Sequence, residues 1–122
     1  MKTLNEKKID WWNVLSEKNV VRVHSWEEFK KLLIKYDVKE IAYRIEMSIP
    51  ARDLTSLRLI FLTRNTQYVF IDTALGNKLR RTGIPISVDK MGNRYIRDED
   101  VMDFIRRELN KRDLKFYSYW SM

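Results

Sequence analysis

Trp26, Phe29, Leu32, Leu33 and Tyr36 recur three and four positions apart, which places them on one face of a helix. Ser25 precedes the run and Glu28 stands three residues further on, a capping-box spacing that satisfies N–H groups left open at a helix start. At Ile41 the period changes to two. Ile41, Tyr43, Ile45, Met47 and Ile49 fall on one side, with Arg44, Glu46 and Ser48 on the other, the pattern of a half-buried strand. Val20 to His24 is a short β-branched run before the capped helix, and residues 4–18 fit a further, peripheral helix presenting Trp11, Trp12 and Leu15.

Pro50 ends the period-two strand because it has no N–H for a ladder, and a polar loop is expected through Ser56. Leu57–Arg64 and Tyr68–Thr73 then read as two strands joined through Asn65-Thr66-Gln67. Both parities are apolar, with Ile60, Leu62, Val69 and Ile71 on one side and Leu59, Phe61, Tyr68 and Phe70 on the other. Such a hairpin needs cover on both faces and belongs in the middle of a sheet. Thr73 is placed to cap a short helix through Thr82, stopped by Gly83. Ile84 to Val88, interrupted by Pro85, reads as an edge strand, and Met91-Gly92-Asn93 as a turn. Asp98 is placed to cap a helix to about Lys111 with Val101, Met102, Ile105 and Leu109 inward, and Leu114 to Trp120 is a last strand. The order is αβαβββαβ(β)αβ. It predicts an α/β (α+β) fold in which one domain, residues 1–122, packs helices on a mixed sheet around a central antiparallel hairpin.

Composition narrows the classes. A chain of 122 residues, 44% hydrophobic and 12% aromatic, can bury one core, and it must do so without disulfides because cysteine is absent. The longest apolar run, Leu59 to Leu62, is far too short for a membrane span, and the N-terminal residues lack the apolar stretch of a signal peptide. A cytoplasmic protein that does not enter membranes is expected. The charged fraction of 34%, a single glutamine and the lack of cysteine follow the trend of thermophilic proteins.

The net charge of +7 is unevenly placed. Residues 74–97 hold six basic residues, Lys78, Arg80, Arg81, Lys90, Arg94 and Arg97, against the single acid Asp89, whereas residues 98–122 hold five against six. The same stretch contains all three glycines, and Gly76 and Gly92 would let backbone N–H groups approach a ligand closely. Cations with accessible backbone are suited to phosphate oxygens, so DNA or RNA is the expected partner. A solvated turn with helix-stop glycines has the same appearance.

No catalytic set emerges. There is no phosphate-binding loop of the GxxxxGK[ST] or GxGxxG kind. One histidine, His24, and no cysteine leave no zinc set, so neither cofactor nor metal is expected. The element order is compatible with the core of PD-(D/E)xK metal-dependent nucleases, but the strand that should carry acid-x-lysine reads Asp72-Thr73-Ala74. A divergent nuclease-like fold is thus the third alternative. The second is an interaction or assembly module using the aromatic termini, with Trp11 or Trp12 covering a second copy in a homodimer. The first is a non-catalytic nucleic-acid-binding protein contacting phosphates through residues 74–97.

Overall fold

The computed structural model describes residues 19–48, 53–73 and 83–118. Their first helix, α1 (Trp26–Lys35), starts where the capping pattern places it. Ser25 Oγ accepts from the Glu28 N–H at 3.1 Å, and the Glu28 carboxylate returns to the His24 N–H at 3.2 Å, one residue earlier than a strict capping box. Two orphan donors are satisfied by one pair of side chains. Trp26, Phe29 and Leu33 are buried, while Tyr36, the last of the series, lies past the helix end and is partly exposed.

Five strands form the main sheet among the described residues: β1 (Asn19–Val23), β2 (Glu40–Ser48), β3 (Asp53–Leu62), β4 (Thr66–Thr73) and, late in the chain, β7 (Lys115–Ser118). Their spatial order is β1-β4-β3-β2-β7. The outer pairs β1·β4 and β2·β7 are parallel and the inner pairs antiparallel, so only β3 opposes the rest. The apolar hairpin β3–β4 is therefore internal, as its two apolar parities require. Register sets the faces: Leu59 pairs with Tyr43 and Phe70, and Ile60 with Ala42 and Val69.

The first of these rows belongs to the larger core, where α1 and α2 (Asp98–Leu109) pack on the sheet. Phe29, Phe61 and Phe70 meet there with ring centroids 5.4 and 5.6 Å apart, and Val101 and Ile105 of α2 are fully buried. Each such side chain contributes on the order of 1.5–3 kcal/mol by leaving water. On the opposite face Ala42, Ile60, Val69 and Tyr117 form a second buried cluster to which neither described helix contributes. The two helices are also tied directly: Glu108 of α2 accepts from Trp26 Nε1 at 3.3 Å and from Lys30 Nζ at 3.1 Å.

Four boundaries differ from the sequence expectation. β3 begins at Asp53, so the last part of the expected polar loop is strand: Asp53 and Leu54 pair with Ser48 and Met47, beyond a bulge in β3 at Thr55, where the register shifts opposite Glu46 and Met47. Backbone pairing with an adjacent strand outweighs the polar composition there. The hairpin turn falls at 63–65 rather than 65–67. Thr63 N–H donates to Thr66 O at 2.8 Å, and Gln67 is a buried strand residue. The strand expected over Ile84–Val88 shortens to β5 (Ser87–Val88), which pairs with β6 (Arg94–Tyr95) in a separate two-stranded sheet and not with the main sheet. Pro85 has no N–H for a ladder, and Ile84 packs as a core residue instead. The N-cap of α2 is Arg97, without a side-chain bond, and Asp98 is the first helical residue. Expectations for residues 4–18, for the short helix over 73–82 and for Gly76 lie outside the described residues.

Candidate phosphate-binding surfaces

The β5–β6 hairpin is shaped by its turn. The Asp89 carboxylate accepts from the Met91 and Asn93 N–H groups, both at 2.9 Å, while the backbone of Asp89 donates to Asn93 O at 2.9 Å. Gly92 has φ +87° with open space where a Cβ would stand, so backbone conformation and not crowding asks for glycine. Lys90 and Met91 are consequently held out at the tip, Met91 with 85% of its surface exposed. Arg94 is half-buried on β6. Arg97 is exposed at the start of α2, with Nε 3.7 Å from Glu99 Oε1, a distance and exposure at which an ion pair contributes little.

The structure thus places Lys90, Arg94 and Arg97 on one hairpin and its exit. Lys78, Arg80 and Arg81 lie outside the described residues, as do Trp11 and Trp12. The hairpin also has acidic neighbours. Asp98, Glu99 and Asp100 make up the first turn of α2, where they suit the positive end of the helix dipole. Burial first, and then the Asp98 and Glu99 carboxylates, hold the Tyr43 hydroxyl above its ordinary pKa.

The other end of α2 is built differently. Asn110 adopts the left-handed conformation at φ 53°, which asparagine tolerates better than most residues, and reverses the chain. Lys111 N–H then donates to Arg106 O at 2.9 Å and Asn110 N–H to Arg107 O at 3.1 Å, so residues 111 and 112 fold back beside 106 and 107. The result is an open groove of about 460 Å³ lined by Asp103, Arg106, Arg107, Asn110, Lys111 and Arg112. Two of its cations are fixed by the fold. Arg106 donates through Nε and Nη2 to Leu114 O at 3.3 and 2.9 Å and lies 5.1 Å from the Phe116 ring centroid. Lys111 donates to Asp37 Oδ1 at 2.6 Å and to Val38 O at 3.0 Å, and this contact holds the Asp37 carboxyl below its usual range. Arg107 and Arg112 are exposed and make no ion pair among the described residues.

Other chemistry is sparse among the described residues. His24 is exposed and its backbone serves the α1 cap. Asp72, the acid at the expected nuclease position, is fully buried on the helix-covered face of β4. No group of three or more His, Cys, Asp or Glu among the described residues is placed to hold a metal ion, and no described helix is long and apolar enough to cross a membrane. Two of the C-terminal aromatics serve the fold. Phe116 packs on the main core, and buried Tyr117 donates to Glu40 Oε2 at 3.0 Å, burial and that bond pushing its hydroxyl up to about 12.

Sequence reasoning missed the groove because the charge was counted by segment. Over 98–122 the four acids in the first half of α2 cancel the cations at its end. The usable signal was the spacing of Arg106-Arg107 and Lys111-Arg112 around Asn110, a helix-stop residue that brings the two pairs together. No protein-family model matches the chain, and neither the curated proteins nor the solved structures contain a match to it.

Proposed function

We propose that this protein is a non-catalytic nucleic-acid-binding module that contacts backbone phosphates through residues 74–97. The observation that carries the reading is the concentration of six basic residues against one acid in that stretch. Support comes also from the ordered hairpin, which holds Lys90 out into solvent on a turn whose own acid, Asp89, is occupied with backbone N–H groups. A phosphate therefore meets Lys90 with the adjacent carboxylate already engaged. The contacts are to the backbone and read no base edges.

Phosphate neutralisation releases counterions, so the logarithm of affinity for duplex DNA falls with the logarithm of salt at a slope of about −0.9 for each phosphate neutralised. Roughly four contacts give a slope near −3.6. Replacing Arg80 and Arg81 by alanine should flatten it by about two units with the melting temperature unchanged. No binding to DNA or RNA at low salt, or an unaltered slope in the double variant, would overturn the reading.

A further inference from the structure

The groove at the C-terminal end of α2 holds more positive charge than the fold uses. A helix C-terminus carries about half a negative charge, and one or two cations there are explained by that alone. Here four cations line the groove, and among the described residues Asp103 is the only acid on its wall. Arg106 and Lys111 account for the Leu114, Asp37 and Val38 contacts, and they close the turn that follows the helix. Arg107 and Arg112 have no such structural role, since both are exposed and neither forms an ion pair among the described residues. Two guanidinium groups are thus brought to one concave surface by the Asn110 reversal, beside two cations that are already anchored.

We propose that this groove is a phosphate-binding site, in which Arg107 and Arg112 supply the forked donors and the fixed Arg106 and Lys111 supply background charge. Guanidinium suits the role because its planar donors match two phosphate oxygens at once, and two such groups can hold one phosphate or two adjacent ones. Asp103 on the rim repels a carboxylate or phosphate that approaches from the N-terminal side of α2, so entry is from the side of the turn. The volume of about 460 Å³ admits a diphosphate. The proposal is independent of the reading for residues 74–97, since it rests on different side chains; the groove lies at the far end of a twelve-residue helix, about 18 Å long, whose start follows the β5–β6 hairpin.

The phosphate can come from a free di- or oligophosphate or from a nucleic-acid backbone, and two titrations separate these sources. Full-length protein is titrated with pyrophosphate and, separately, with a 12-base-pair duplex, while backbone amide NMR shifts are followed. Pyrophosphate should move resonances of residues 103–113 in a saturable manner, and R107A/R112A should weaken that binding at least tenfold. R80A/R81A should leave it unchanged. If the duplex moves the same resonances, and R107A/R112A flattens its salt slope by about two units, the source is nucleic acid. If only pyrophosphate does so, the source is a free phosphate compound. Shifts spread evenly over all exposed lysines and arginines, no saturable shift, or equal binding by R107A/R112A would overturn the proposal. Loss of duplex binding in R80A/R81A, with the pyrophosphate response kept, would bear on residues 74–97 alone.

Discussion

The two ends of α2 carry similar numbers of charged side chains and use them in opposite ways. At the start, Asp98, Glu99 and Asp100 face the positive end of the helix dipole, and the cations Lys90, Arg94 and Arg97 arrive from a hairpin with its own short sheet. At the end, Arg106, Arg107, Lys111 and Arg112 converge around one αL residue and two of them are bonded into neighbouring elements. Charge along a sequence and charge at a surface are therefore different quantities. The first end is rich in cations by count along the chain, whereas the second is richer by what folding brings together.

A variant that melts α2 should abolish the distinction and has the largest expected effect. Ile105 is fully buried beneath the helix, and Ile105→Ala should cost about 2–5 kcal/mol. Chemical denaturation should show a lower midpoint, and amide exchange should show that both ends lose protection together. Survival of either end alone would mean that it does not depend on the helix.

Alkaline pH sharpens the comparison from the groove side, through the strand that follows it. The Tyr117 hydroxyl is raised to about 12 by burial and by its bond to Glu40, whereas in the unfolded chain it titrates near 10. Its contribution is complete below pH 10 and is lost as pH rises from there toward 12, at most about 2–3 kcal/mol over that window. Denaturation at pH 9 and pH 11.5 should differ by more in the native protein than in Tyr117→Phe. Equal differences would remove Tyr117 as the cause.

Substituting Gly92 acts on the hairpin alone. A side chain there has open space but an unfavourable φ of +87°, so Gly92→Ala should cost about 1–2 kcal/mol locally. Exchange at Asp89–Asn93 should accelerate while residues 103–113 keep their protection. Acid does the reverse. The Lys30 bond, and then the Trp26 bond, hold the Glu108 carboxyl below its ordinary range, so its link between the helices is complete above the usual carboxylate range and is lost as pH falls through the lowered value. Glu108→Gln, an effect of about 1 kcal/mol at neutral pH, should make that acid loss smaller, with Trp26 emission as the local reporter.

Much of the fold was legible because side-chain period and backbone demand agree. Ser25 and Glu28 announced α1, and the double apolar parity of Leu59–Phe61 and Val69–Phe70 announced an internal hairpin. What failed were boundaries decided by backbone pairing and core packing and not by side-chain pattern. Asp53 joins β3 because β2 offers it a ladder, and β5 leaves the main sheet because Ile84 and Ile96 take core positions on either side of the small hairpin. The candidate site divides similarly. Three of the six cations assigned to it sit on one hairpin and its exit, but the acids of α2 beside them were counted as a separate segment, and the groove was hidden by the same summation.

The central proposal is that the cations of residues 74–97 contact nucleic-acid phosphates. The most direct test is the salt dependence of duplex affinity for the native protein and for R80A/R81A at constant temperature. The account predicts a native slope near −3.6 and a variant slope less steep by about two units. A slope near zero, or the same slope in both proteins, would contradict it.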